Sequence, residues 1–444
     1  MNRIAAMVIL VWCLLPVTGW AAATGGTVPL TLEQAVSRAM AANPGLQAAQ
    51  ADARARDRAA RAENGRRLGE LQLSGGVVRN SDKTLIRPMT PELLAAGPPN
   101  MPFDESFAYW SLGYRVPLLG WGTIGGARDA ARLAAAAGSA AARRAAREIR
   151  HRVVATYVGL LSLDARIDAL NHELAALDTL VAHIELGWRA GQYSRVDLLK
   201  ARVERQTTTT RLRELQAARQ GRYADLMALL GEKDVTPGHY RLVPVQPAAA
   251  DTALPPRDAL IARALSRRSD LRAAARTAAA RRAAARSAAG SRWPQLSVGG
   301  RLTGVRAGTI DYDDTYWSVD ATISMPLLDM GRRKNLARKA DLEARSAELG
   351  VAELAGRIRA EVTAALADVA RARSEVAAQQ TTLELAGEVS RLEQLRYDAR
   401  RGDIDHLLRA LAERRLAEAA LIQARHDLVI ALDNLQLAIG GDER

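Results

Sequence analysis

The stretch Phe107-Ala108-Tyr109-Trp110-Ser111-Leu112-Gly113-Tyr114-Arg115-Val116-Pro117-Leu118-Leu119 decides the fold. Ala108, Trp110, Leu112, Tyr114 and Val116 fall on one side of a period-two repeat, and Tyr109, Ser111, Gly113 and Arg115 on the other. A strand of about ten residues, apolar on one face and polar on the other, has the length and pattern of a transmembrane β-strand. The stretch has a counterpart. Trp317, Val319, Ala321, Ile323 and Met325 oppose Ser318, Asp320, Thr322 and Ser324, and Val116-Pro117-Leu118-Leu119 is echoed by Met325-Pro326-Leu327-Leu328.

The echo extends along the whole chain. Residues 32–80 match 257–305 at one constant offset, which pairs Leu46 with Leu271, Leu71 with Leu296 and Gly75 with Gly300. A second offset pairs Gly122 with Gly331, Leu198-Leu199-Lys200-Ala201 with Leu407-Leu408-Arg409-Ala410, and Gly231 with Gly440. Each copy reads helix, strand, loop, strand, very long helix, tip, helix. In the outgoing strands Leu71, Leu73, Gly75 and Val77 alternate with Gln72, Ser74, Gly76 and Val78, and Leu296, Val298, Gly300 and Leu302 with Ser297, Gly299, Arg301 and Thr303. Strands are therefore expected at about 70–80, 107–117, 295–305 and 316–326. The intervening segments, 81–106 with five prolines and 306–315 with Asp311, Asp313 and Asp314, read as external loops.

Helix dominates elsewhere. Thr31 and Gln34 form a capping-box pattern opening a helix to about Arg67, interrupted at Asn43-Pro44. From Thr123 to about Leu186 no proline occurs, which is roughly 95 Å of helix at 1.5 Å per residue. The second copy repeats this from about Arg332 to Tyr397, with Ile358, Val362, Leu366, Val369, Val376 and Leu383 at near-heptad spacing. A helix so long with one narrow seam needs lateral partners, as in a wall of helices. Each ends near a glycine, Gly191 or Gly402, before a shorter returning helix. Residues 235–256, rich in proline, read as a linker between a first repeat (24–234) and a second (257–440).

The first residues bound the compartment. Arg3, the apolar run Ile4 to Val17 and Ala21-Ala22-Ala23 read as a secretory signal peptide over residues 1–23. The only cysteine, Cys13, lies inside it, preceded by Leu10-Val11-Trp12 rather than the small residues of lipoprotein processing, so disulfide and thiolate chemistry are excluded from the remainder. No later stretch approaches 18 consecutive apolar residues, which argues against membrane-spanning helices. The net charge of +13 comes from arginines spread with alanine along helix faces, and export removes the chain from nucleic acid.

Trp110, Trp121, Trp293 and Trp317 sit at or just beyond strand ends, with Tyr109, Tyr312 and Tyr316 nearby. Aromatic girdles at two membrane interfaces account for that clustering, whereas a sandwich core does not. Four strands cannot close a barrel, and an open sheet edge in lipid leaves backbone groups unpaired at several kcal/mol each. The barrel must then be shared between chains, which implies a homo-oligomer.

Over residues 31–440 the chain resembles the TolC-type outer-membrane factors. The resemblance rests on Leu32-Glu33-Gln34-Ala35-Val36 through Asn43-Pro44, on the strand-to-helix junctions at Val116 and Met325, and on the tip segments Gly191 to Leu199 and Gly402 to Leu408. It implies an α+β membrane protein in which duplicated helix-hairpin-helix repeats give a trimeric, 12-stranded β-barrel on a long periplasmic α-helical barrel. It also implies the outer membrane of a Gram-negative bacterium, with most of the mass in the periplasm. Partners would be a periplasmic adaptor, an inner-membrane pump driven by protons or ATP, and outer-membrane lipid. The expected function is an exit duct for small molecules, with type I protein secretion as the alternative. Gly191, Tyr193, Asp197, Gly402, Asp403, Asp405, His406 and Arg409 would form the tip and gate. Such proteins often carry acidic rings at this entrance. The aligned positions here hold His406 and Arg409, so a less cation-selective entrance is expected unless these charges face the adaptor instead.

Other chemistries fit poorly. Gly120-Trp121-Gly122-Thr123-Ile124-Gly125 matches G-x-G-x-x-G, but the preceding strand alternates and no acid lies about 20 residues on. His172-Glu173 lacks the second histidine of a zincin, Ala176 occupying its place. No nucleophile, metal or cofactor constellation stands out, so a non-enzyme is expected. A soluble periplasmic coiled-coil adaptor or rod is the competing class, but it would show one helical hairpin beside small β-domains.

Overall fold

The computed structural model describes residues 28–97, 101–233, 239–245, 254–399 and 401–441. Residues 1–23, expected from sequence to be a signal peptide, lie outside them, as do parts of 235–256. In chain order the elements are β1 (Val28–Leu30), α1 (Leu32–Ala42), α2 (Pro44–Gly65), a 3-10 turn (Arg66–Leu68), β2 (Glu70–Leu85), α3 (Pro91–Ala96), β3 (Phe103–Leu119), α4 (Thr123–Arg189) and α5 (Arg195–Leu230). Then follow β4 (Tyr240–Leu242), α6 (Arg257–Arg267), α7 (Ser269–Gly290), β5 (Gln295–Ala307), β6 (Asp313–Ser324), α8 (Arg332–Asp398) and α9 (Ile404–Ala438).

The duplication is visible in hydrogen bonds. Thr31 and Gln34 make the reciprocal capping box at α1. The helix then breaks at Asn43, whose carbonyl precedes Pro44 and whose backbone is extended (φ −61°, ψ 121°). Arg268 breaks the second copy with the same geometry (φ −65°, ψ 125°), although no proline follows it. Asn43 donates its amide to the Leu229 carbonyl at 2.9 Å, and Arg268 donates to the equivalent carbonyl of Ala438 at 3.3 Å. Each break is thus tied to the end of its own returning helix. Arg268 is buried and also bonds Asp270 and Glu361, so its charge is paired on both sides.

Helices α4 and α8 each run 67 residues, about 100 Å. Near the strands α4 packs between α2 and α7, and farther away it packs beside α5 and α9, with α8 against α9. Two cores sit where short helices lean on long ones. Leu30, Leu46, Tyr157, Leu226 and Leu230 build one, and Leu260, Ile358, Val362, Leu428 and Leu435 the other. Three-residue strands β1 and β4 pair in parallel over the first core, where the Tyr157 hydroxyl meets the Leu30 carbonyl at 2.7 Å and accepts from Val243 N–H at 2.9 Å. This pair left no mark in the sequence pattern, because three residues carry no period. It places a strand inside the proline-rich linker.

Strands β2, β3, β5 and β6 form one antiparallel sheet in that order. The region expected as one loop, 81–106, instead holds the end of β2, helix α3 and the start of β3. Ser81-Asp82-Lys83 continues the strand without alternation, so its pattern ended before its backbone did.

At the other end of the sheet Gly122 and Gly331 open α4 and α8 in the left-handed conformation (φ 90° and 81°). The residues before them, Trp121 and Met330, also have positive φ (45° and 52°). That conformation costs a side-chain-bearing residue about 1–2 kcal/mol, and both copies carry it at the same place. Among the described residues no helix is long and apolar enough to cross a membrane.

Candidate functional site

The sheet register sorts side chains into two faces. Leu73, Leu112, Leu302 and Trp317 form one cross-strand row, and Leu71, Tyr114, Gly300 and Val319 the next. These apolar side chains stand exposed, Trp317 at 75% and Leu73 at 72%. Trp110 belongs to the same face and lies over Gly304, where an added Cβ would fall 2.2 Å from the indole nitrogen. On the opposite face Glu70, Arg115, Gly299 and Asp320 align, and Arg115 donates to Asp320 at 3.1 Å. Ser74, Ser111 and Thr303 follow in a polar row. The edge strands β2 and β6 have no outer partner among the described residues.

Beyond the sheet, buried Asp104 accepts from Thr309 N–H at 2.7 Å, from the Thr309 hydroxyl at 2.7 Å and from Ile310 N–H at 3.2 Å. Arg87 pairs with Asp314 and lies over the Tyr316 ring. The two loops are therefore knotted together, and Asp314 serves that knot. Trp121 and Trp293 meet at the strand-to-helix level with ring centroids 6.2 Å apart.

The far end of the helices is the second region. Ser194 caps α5 and forms a reciprocal box with Asp197, while Asp403 caps α9 by accepting from Asp405 N–H. Gly191 turns the chain at φ 72°, whereas Gly402 has no such backbone and sits close against Arg396 and Tyr397. Between the two hairpins Ile184, Leu198, Tyr397, Ile404 and Leu407 are buried together. The Tyr193 ring stacks on Tyr397 with centroids 5.5 Å and planes 10° apart, and His183 Nε2 is 3.1 Å from the Tyr193 hydroxyl. Lys200 donates to Asp405 at 2.5 Å, and that hydrogen bond raises the lysine above its ordinary pKa. Asp403, His406 and Arg409 remain exposed.

Sequence reasoning missed three partners here: Tyr397, Lys200 and Arg415. Arg415 of α9 is buried and donates to Glu173 of α4 at 2.6 Å and to Glu204 of α5 at 3.3 Å. Burial raises the Glu173 pKa, while Arg415 holds it down. Nothing local marks these residues, since each meets its partner across more than 200 positions of chain. His172 is exposed beside Glu173, and among the described residues no group of side chains is arranged to hold a metal ion.

A family described as outer membrane efflux protein matches residues 35–232 and 260–441, one segment in each copy. The chain belongs to the outer membrane efflux protein family. Solved structures share its fold. A membrane protein from Pseudomonas aeruginosa is 22% identical with a TM-score of 0.78, covering 92% of this chain and 93% of that one. VceC, an outer membrane protein of Vibrio cholerae, is 17% identical with a TM-score of 0.79, over 93% and 97% of the two chains. The CmeC outer membrane channel of Campylobacter jejuni is 16% identical with a TM-score of 0.79, over 92% and 85%. No curated protein matches this efflux protein in sequence. The fold class is as expected, an α+β membrane protein whose repeats contribute strands to a shared barrel on a helical tube, and the protein resides in the outer membrane.

Proposed function

We propose that this efflux protein is the exit duct of a tripartite export system, passing small molecules from an inner-membrane pump and a periplasmic adaptor to the exterior. One observation carries the reading. A four-stranded sheet with an exposed apolar face and two open edges stands on helices of 67 residues each. Each unpaired backbone group in lipid costs several kcal/mol, which favours closure by neighbouring chains. Three copies give twelve antiparallel strands, with β6 of one protomer beside β2 of the next.

In this reading the Arg115 face lines the pore and the Trp317 face meets lipid, with Trp110, Trp121, Trp293 and Trp317 at the membrane interfaces. Residues 1–23 are the export signal, and 24–234 and 257–440 are the two repeats joined by the 235–256 linker. The tip is the gate. Gly191, Tyr193 and Asp197 shape its first hairpin and Gly402, Asp403 and Asp405 its second, while exposed His406 and Arg409 offset the acidic charge at the entrance. The Tyr193–Tyr397 stack and the Lys200–Asp405 pair hold the hairpins together and must separate when the entrance dilates. The polypeptide needs no cofactor for this, because its partners supply the energy.

Photo-crosslinking residues placed at Val196 and Leu199, both exposed at the start of α5, test the arrangement in living cells. Capture of a periplasmic adaptor supports it, and the pump bound to that adaptor separates small-molecule efflux from polypeptide export. Capture of cytoplasmic proteins alone contradicts the topology.

A further inference from the structure

Every strand-to-helix crossing of the chain lies at one level. The Tyr114 hydroxyl donates to the Leu68 carbonyl, Arg333 donates to the Ser291 carbonyl, and Trp121 packs on Trp293. Leu119, Leu296 and Ile323 form the last apolar cross-strand row above it. The apolar surface does not stop there. Leu118, Trp121, Trp293, Leu327, Leu328 and Met330 are exposed on the chain, Leu327 at 88% and Met330 at 85%. Two of these, Trp121 and Met330, carry the positive-φ backbone described above. Unfavourable backbone retained at equivalent positions of both copies points to a use for the projecting side chains.

Cations surround this apolar collar. Arg67, Arg292, Arg332 and Lys334 each lie within a few residues of a crossing. Among the described residues none of the four makes a salt bridge or a side-chain hydrogen bond. Their neighbours Arg66 and Arg333 do, with Glu63 and Asp329. Apolar and indole side chains beside long cations that have no partner among the described residues match the boundary between acyl chains and phosphates, where such cations reach out to the headgroups.

We propose that this collar binds anionic phospholipid headgroups, drawing them from the leaflet that faces the helical tube. The apolar side chains sit at the acyl boundary, and Arg67, Arg292, Arg332 and Lys334 take the phosphates. The proposal rests on the sheet being in the membrane, and its test separates the two. The assembled protein, with Trp110, Trp188 and Trp317 replaced by Phe so that Trp121 and Trp293 report, is reconstituted in phosphatidylcholine vesicles containing phosphatidylglycerol. Quenching by brominated forms of each lipid gives their relative association. Phosphatidylglycerol is expected to be preferred roughly fivefold or more. In the Arg67→Gln, Arg292→Gln, Arg332→Gln, Lys334→Gln variant the ratio is expected to fall to near one, with phosphatidylcholine quenching unchanged. Equal association in the parent, or a preference that survives in the variant, overturns the proposal. Quenching seen with all five tryptophans but absent from the two reporters overturns it as well, because a neighbouring subunit then covers the collar. Quenching absent from both overturns the membrane reading itself.

Discussion

Lys200, on the returning helix of the first copy, places its ammonium 2.5 Å from the Asp405 carboxylate of the second. It is an ion pair that joins the two hairpins across the tip. The hydrogen bond raises the lysine pKa, so the contact is present below the ordinary value of 10.5 and is lost as pH rises beyond it. Lys200→Ala and Asp405→Ala should each increase the conductance of the reconstituted channel, and Lys200→Asp with Asp405→Lys should return it toward the parent. Conductance unchanged in both single variants would show that the pair does not hold the tip.

The stacked Tyr397 offers a cleaner separation of ring from hydroxyl. Its ring is buried between hairpins, but its hydroxyl oxygen has no hydrogen-bond partner among the described residues. Tyr397→Phe should leave the thermal stability equal or raise it by about 1 kcal/mol, since an unpaired buried hydroxyl is costly. Tyr397→Ala should cost about 3–5 kcal/mol locally and make the channel leak. Antibiotic susceptibility of cells expressing each variant reads the leak, and a leak in Tyr397→Phe equal to that in Tyr397→Ala would contradict the ring's role.

Arg415 neutralises two glutamates from two helices within the wall. Arg415→Met should cost about 3–5 kcal/mol, because Glu173 and Glu204 are left without their cation. Glu173 adds a pH dependence of defined sign. Burial raises its pKa in the folded protein above the ordinary 4.5, so the folded state takes the proton first. Stability from this group is fully present below the unfolded value of 4.5 and is lost as pH rises from there through the raised folded value. Glu173→Gln should remove that slope from melting curves taken at pH values rising from 4.5.

Packing in the sheet gives a paired control. At Gly304 a Cβ would meet the Trp110 indole at 2.2 Å, whereas at Gly300 the nearest atom is 3.9 Å away. Gly304→Leu should destabilise the barrel by about 1–3 kcal/mol and lower the heat needed to dissociate the oligomer in detergent. Gly300→Leu, on the same apolar face, should not.

The architecture was legible because its signals are periodic. Alternation over Ala108 to Val116 and over Trp317 to Met325 marked strands, and proline-free runs after Gly122 and Gly331 marked helices. Duplication then checked each reading against a second copy. The break at Asn43-Pro44 was visible because proline disfavours helix at the residue before it, yet its partner at Arg268 was not, since a buried arginine replaces proline chemistry there. The tip was only half legible. Gly191, Asp197 and Asp403 carry local turn and capping signals, whereas Lys200–Asp405 and Arg415–Glu173 depend on which helix faces join, and that is set by the assembled wall. Strand β4 was invisible because pairing with β1 is its only distinguishing feature.

The shared barrel is the centre of the account, and disulfide mapping between its two free edges tests it most directly. The sole native cysteine is Cys13, within the segment read from sequence as an export signal, and with Cys13 replaced by Ser, cysteines placed at Leu73 of β2 and, in turn, at Trp317, Val319 and Ala321 of β6 are the only reactive pairs. Within one chain those strands are separated by β3 and β5. Oxidation in outer membranes is expected to give covalent dimers and trimers at one of the β6 positions, and no larger species. Only monomers at every position, or an open ladder beyond the trimer, would contradict a closed barrel of three chains.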